Sequence, residues 1–170
     1  MYKRQILEAA KRFVESGKRV VLNLAPAIAV NPWLLLHSNP LVVNESESRL
    51  AASCLGLNLN NAEDIDVAKA LLEAGVPSVV LTLGSQGSLL GEHTSEGNIS
   101  VSHLDAIPVQ AVDAVGAGDA FTGVLAAKLA EGQSLQDSAL AATRFASETV
   151  KYPGAQSSYW QAVETLKGNR

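Results

Sequence analysis

The segment Val112-Asp113-Ala114-Val115-Gly116-Ala117-Gly118-Asp119-Ala120-Phe121 carries the strongest chemical signal in the chain. It reads as an extended stretch that turns through glycines into a long helix. Glycines let a backbone approach a ligand closely, and free N–H groups of Gly116, Ala117 and Gly118 at a helix start would converge on an anion with the helix dipole behind them. Such a turn is a cradle for phosphate. A carboxylate set inside it, that of Asp119, is held ionised beside a phosphoryl group and can accept the proton of an attacking hydroxyl. Phosphoryl transfer depends mainly on positioning and charge neutralisation, which this arrangement offers. The same residues also fit a plainer role, because an aspartate at a helix start complements the dipole and Gly-x-Gly alone specifies little.

The elements that must position this turn are legible as an alternation of helix and apolar strand. An amphipathic helix with apolar Ile6, Leu7, Ala10, Phe13 and Val14 stops at Gly17, and Arg19 to Leu24 then reads as a strand buried on both faces. Pro26 and Pro32 mark a loop and a short helix around Trp33. Leu41 to Val43 is a brief strand ending at Asn44, with a helix starting near Glu45. A helix from Ala62 to Glu73 ends at Gly75, and Ser78 to Leu83 is a further buried strand. From Gly84 the pattern changes to a turn at Gly84-Ser85-Gln86-Gly87. Short extended pieces follow at Ser88 to Gly91, Ile99 to Val101 and Val109 to Val112, as in a small antiparallel edge. Two Ala-rich helices, Ala117 to Glu131 and Leu135 to Val150, flank Gly132, and Trp160 to Lys167 closes the chain. The expected architecture is a single α/β domain, a three-layer α/β/α sandwich on a mostly parallel sheet, with ligands at the C-terminal ends of the strands.

Composition narrows the function classes. Thirteen Lys and Arg against seventeen Asp and Glu give a net charge of −4 over 170 residues, with no basic block to attract nucleic acid or an anionic membrane. A small-molecule ligand is expected instead. No stretch reaches the ~18 to 20 apolar residues of a membrane span, the start is not a signal peptide, and the single cysteine, Cys54, fits packing in a reducing compartment, so a cytoplasmic protein is expected. His37, His93 and His103 are dispersed without metal-ligand spacing and read as surface or loop residues. Asp64 and Asp66 read as helix caps, and Trp33 and Trp160 are too few for a nucleic-acid stacking surface.

Val112 to Gly123 resembles the C-terminal signature of the PfkB carbohydrate kinase family, in which Asp, two residues, Gly-Ala-Gly-Asp, a small residue and Phe precede a helix. The resemblance implies that Asp119 is the catalytic base. It makes the amides of Gly116, Ala117 and Gly118 the anion hole for the γ-phosphate of ATP, and Asp113 a ligand of a monovalent cation. Two further segments match in the same order. Asn44-Glu45-Ser46-Glu47 resembles the family's Asn-x-x-Glu motif, which implies that Glu47 steers Mg²⁺ through water while Asn44 faces the nucleotide phosphates. Thr82-Leu83-Gly84-Ser85-Gln86-Gly87 resembles the family's strand-to-turn segment along ATP. As residues alone, the first segment is also a strand end and a first helical turn, and the second is also a hairpin turn.

The tail Tyr152-Pro153-Gly154-Ala155-Gln156-Ser157-Ser158 and the stretch Asn23-Leu24-Ala25-Pro26-Ala27 resemble the ribokinase branch of that family. By that resemblance a K⁺ site draws on Asp113, Val115, Thr149, Tyr152, Gly154 and Ser158, several through backbone carbonyls, and Thr143 lies on the adenine side. The implied fold is ribokinase-like and the implied activity is ATP-dependent phosphorylation of a sugar, with ribose to ribose 5-phosphate expected first and another sugar or a nucleoside as the alternative acceptor. The match covers only the C-terminal part of the family, with the N-terminal sugar-holding segments and the β-strand lid, often a dimer interface, missing. A nucleotide-binding half without catalysis is the alternative expectation, and a homodimer belongs to the complete form.

Overall fold

A computed structural model describes residues 2–168. The first helix, α1 (Tyr2–Glu15), ends where the sequence supplies a glycine. Gly17 takes φ 70°, its N–H donates to the Val14 carbonyl, and the Lys18 N–H donates to Phe13, both at 2.9 Å. This double bond pattern satisfies carbonyls that a helix end otherwise leaves open.

Strand β1 (Leu22–Asn23), the short helix α2 (Pro32–Leu36), strand β2 (Leu41–Asn44) and helices α3 (Glu45–Cys54) and α4 (Asp64–Glu73) follow. Strands β3 (Ser78–Thr82), β4 (Ser88–His93) and β5 (Ile99–Leu104) complete a five-stranded sheet in the order β1-β2-β3-β4-β5. β1, β2 and β3 are parallel, and β4 runs antiparallel to β3. β5 returns beside β4 after a turn closed by Thr94 N–H to Asn98 carbonyl at 2.8 Å, too short a connection for a parallel crossover. The sheet is therefore mixed, parallel on one side and antiparallel at the other edge.

Leu41 and Val43 of β2, Val79 and Leu81 of β3, and Leu89 of β4 form one core with Ala51 and Ala52 of α3 and Val67, Leu71 and Leu72 of α4. The alternate set, Val42, Val80 and Leu90, is also buried. Burial on both faces is why these strands read as unbroken apolar runs. Cys54 packs against this core, as its sequence context suggests.

Contacts divide the chain into two compact units. One comprises the chain up to Leu83 together with Ser88–His103; the other comprises Gly84–Gly87 and everything from Leu104 onward. The second unit is built on α5 (Ala117–Ala130), α6 (Leu135–Thr149) and α7 (Ala155–Gly168). Phe121, Leu125 and Leu129 of α5 recur every four residues and are buried, as are Leu135, Ala139 and Ala142 of α6, where the two alanines present little side-chain bulk. Between them Gly132 takes φ 85°, and the Ser134 hydroxyl caps α6 by accepting the Asp137 N–H at 3.0 Å.

Four expectations need correction. The strand expected at Arg19 to Leu24 forms a ladder only at Leu22–Asn23, on the sheet's edge, where Val20 to Asn23 are half-buried, Arg19 is exposed and Leu24 alone is buried. Val109–Val112 joins no ladder, because Val112 and Asp113 both donate to the single Val150 carbonyl, at 2.7 and 3.1 Å. Asp64 does not cap α4; it follows the N-cap Glu63 and is held by Arg49 at 2.9 Å, while Asp66 lies in the first turn beside Lys69. The closing helix begins at Ala155 and so takes in Gln156, Ser157 and Ser158. Among the described residues no helix is long and apolar enough to cross a membrane.

Candidate active site

The turn into α5 is shaped by Gly116, which takes φ 81° as the N-cap. A side chain there is excluded twice: by the left-handed backbone, and by space, since a Cβ would meet the Tyr159 hydroxyl at 2.5 Å and the Ala155 Cβ at 2.8 Å. The Gly116 carbonyl accepts the first helical bond from Ala120 N–H at 2.9 Å. Of the amides expected to form the cradle, that of Ala117 is occupied, donating to the Ala114 carbonyl at 3.2 Å. Those of Gly116, Gly118 and Asp119 have no acceptor among the described residues. A Cβ on Gly118 would meet nothing within 4 Å, so the backbone there faces open space. Asp119 is exposed in the first turn, and its carboxylate forms no hydrogen bond or ion pair among the described residues. Unpaired amides and an unpaired carboxylate thus stand side by side at one helix start.

Asp113 organises the loops around this turn. One carboxylate oxygen accepts the Val115 N–H at 2.9 Å and the other the Gly154 N–H at 2.8 Å. These two backbone bonds, that from Val115 first, hold its carboxyl below the usual aspartate range. With the bonds of Val112 and Asp113 to Val150, the segments 112–115 and 149–154 are stitched together, which brings Asp113, Val115, Thr149, Tyr152 and Gly154 into one region. Thr149 is buried, with its hydroxyl on the Ala146 carbonyl at 2.8 Å, and Tyr152 is anchored by its hydroxyl to Glu148 at 3.2 Å and Thr165 at 2.9 Å. Ser158 is buried with its hydroxyl donated to the Ala155 carbonyl at 2.6 Å.

In the sheet unit, Asn44 and Thr82 are ladder partners at the C-terminal ends of parallel β2 and β3. Asn44 caps α3 reciprocally: its side-chain oxygen accepts the Glu47 N–H, and its own N–H donates to Glu47 Oε2, both at 2.9 Å. Glu47 is 7% exposed and keeps its second oxygen outside this box. The Thr82 hydroxyl donates to the Val43 carbonyl at 3.3 Å. Leu83, next in the chain, packs on the sheet core.

In the helical unit, Gly84–Gln86 form one 3₁₀ turn closed by Gly87 N–H to Gly84 at 3.2 Å. Gly87 takes φ 97°, and a Cβ there would run into the Leu104 carbonyl and the Ala106 nitrogen, so main chain packs against main chain. Thr143 lies mid-helix in α6, half-buried.

Residues 3–162 match the pfkB family of carbohydrate kinases. The chain belongs to that family.

Curated pfkB-type relatives include the ribokinase of Staphylococcus aureus, 33% identical over 84% of this chain and 45% of its own length. That of Schizosaccharomyces pombe is 35% identical over 87% and 46%. Among solved structures, ribokinase from Thermotoga maritima superposes with a TM-score of 0.80 at 31% identity, covering 97% of this chain and 53% of that one. Arabidopsis thaliana ribokinase, solved with ribose and ATP, gives 0.74 at 29% identity, covering 93% and 50%. The fold is thus ribokinase-like, an α/β sandwich on an open mixed sheet. The chain spans about half the length of the curated relatives it matches.

One residue at the pfkB signature turn escapes a sequence reading. Tyr159, on α7, donates its hydroxyl to the Gly116 carbonyl at 2.7 Å across 43 residues of chain. Burial, and to a lesser degree the Asp119 charge, pushes its phenol up, so it stays a proton donor. Its position directly after Ser157-Ser158, on the helix turn that begins at Ala155, is the only local signal.

Proposed function

We propose that this chain is the ATP-binding, catalytic part of a sugar kinase that transfers the γ-phosphate of ATP to a sugar hydroxyl, with ribose as acceptor at its O5 and ribose 5-phosphate as product. The observation that carries this reading is the start of α5, where free amides of Gly118 and Asp119 adjoin an unpaired Asp119 carboxylate in open space. In this reading Asp119 accepts the hydroxyl proton as the sugar oxygen bonds to phosphorus and the bond to ADP breaks. The Gly116 and Gly118 amides stabilise charge on the transferring group, with Ala117 holding the turn through Ala114. Asn44, Thr82, Leu83, Gly84, Ser85, Gln86 and Gly87 contact the nucleotide, and Thr143 the adenine. Glu47, whose second oxygen stands outside the capping box, steers Mg²⁺ through water, which when bound neutralises phosphate charge. Asp113, Val115, Thr149, Tyr152, Gly154 and Ser158 serve K⁺, chiefly through backbone oxygens, while the Asp113 carboxylate keeps the two loops in register. The setting is the cytoplasm.

The test is a mass-spectrometric search for ribose 5-phosphate after incubation with ribose, ATP, Mg²⁺ and K⁺, beside an Asp119→Ala control. Product that disappears in the control is the expected result; equal product in both would overturn the role of Asp119. A second reading, nucleotide binding without transfer, uses the same unpaired amides at the start of α5 as a phosphate site and leaves Asp119 without a catalytic role. It is distinguished by Mg-ATP binding that ribose leaves unchanged, with no product formed.

A further inference from the structure

The peptide joining Gly116 to Ala117 is held at both ends. Its N–H donates to the Ala114 carbonyl at 3.2 Å, and its carbonyl accepts from both Ala120 N–H at 2.9 Å and the Tyr159 hydroxyl at 2.7 Å. The first two bonds are local to the turn and come with helix formation. The third reaches in from α7 and is the only one supplied by a side chain. The Tyr159 ring is itself placed by a tilted contact with Phe145 at 6.4 Å between centroids, and its hydroxyl occupies the space that a Cβ on Gly116 would need. The turn therefore leans on the phenol by contact as well as by hydrogen bond. Immediately beyond the pinned peptide come the two amides with no acceptor, those of Gly118 and Asp119.

We infer that Tyr159 is a positioning residue: its hydroxyl fixes the Gly116 carbonyl and so aims the following amides at the terminal phosphate of a nucleoside triphosphate. The inference rests on the phosphate cradle proposed above and deepens it, by assigning recognition of the third phosphate to a geometry that α7 maintains. A preorganised set of donors discriminates between ligands that do and do not fill it, because amides aimed at a missing group contribute nothing. Tyr159 should thus matter for the triphosphate and not for the diphosphate. The raised phenol keeps its proton at neutral pH, which the donated bond requires.

The test is calorimetric titration of Mg-ATP and Mg-ADP into the wild-type chain and into Tyr159→Phe, which retains the ring and deletes the hydroxyl, with thermal melts of both. The expected result is an ADP affinity unchanged by the substitution and an ATP affinity weakened about fivefold, the scale of one lost hydrogen bond. An ATP-to-ADP affinity ratio equal to that of the wild type would overturn the inference. So would equal weakening of both nucleotides, or a variant that no longer melts cooperatively, since either marks the phenol as packing alone. A wild-type chain that binds neither nucleotide would overturn the cradle itself and this inference with it, an outcome visible before any variant is made.

Discussion

The Asp113 carboxylate and the Gly154 N–H meet at 2.8 Å across 41 residues of chain, and the other oxygen of the same carboxylate holds the Val115 N–H at 2.9 Å. One ionised side chain thereby ties the approach to α5 to the loop that precedes α7. The bonds are acceptor bonds, so they hold the carboxyl below 3.8, the ordinary aspartate value.

The sign of the pH dependence follows. A carboxylate whose folded-state pKa is depressed adds stability that is complete above the unfolded value and is lost as pH falls through the folded one. Thermal melts of wild type and Asp113→Asn should differ by a constant margin at pH about 6 and converge as pH drops below 3.8 toward the folded value. A margin that stays constant down to acid unfolding would exclude the clamp as its source.

Gly116 and Gly118 should respond to alanine in opposite ways. Gly116→Ala forces a left-handed non-glycine residue against Tyr159 and Ala155, and should lower stability by about 1–3 kcal/mol in chemical denaturation. Gly118 is helical with open space around its Cβ, so Gly118→Ala should preserve or raise stability by up to about 1 kcal/mol. The added methyl projects into that same open space, and Mg-ATP affinity measured on the folded variant should fall. Unchanged affinity would move the phosphate site away from this turn.

At the start of α3 the structural and proposed chemical roles of one pair can be separated. Asn44→Ala removes the side-chain half of the capping box and should cost about 1 kcal/mol of stability by denaturant titration. Glu47→Gln keeps an oxygen able to accept the Asn44 N–H and should cost less, yet require about tenfold more Mg²⁺ to reach half-maximal ATP binding. Equal Mg²⁺ dependence in wild type and Glu47→Gln would confine Glu47 to capping.

How much of this was legible in the sequence depends on the range of the forces involved. Leu41 to Val43 and Ser78 to Leu83 announce buried strands because both of their faces are covered, and Asn44 with Glu47 announces a helix start because capping operates over three residues. The glycine turn is legible for the same reason, since φ 81° at Gly116 is a local demand. Asp64 misleads because Arg49, 15 residues away, captures it, and a helix-start propensity carries no information about such a competitor. Val109–Val112 misleads because its β-branched residues suit a strand, whereas the end of α6 offers it a single carbonyl, at Val150. Tyr159 stays hidden because its partner lies on another element, and no spacing rule connects positions 116 and 159.

The close packing of Gly87 on Leu104–Ala106 seals the base of the β4–β5 excursion, which leaves the main chain at one point and rejoins it at the other. Its far end, the exposed turn from Thr94 to Asn98, is closed by its own backbone bonds. Lengthening such a closed excursion costs only about 0.6 kcal/mol for each doubling. Insertions should therefore accumulate at positions 95–97, where an epitope or a reporter peptide can be spliced in, while position 87 admits no residue but glycine.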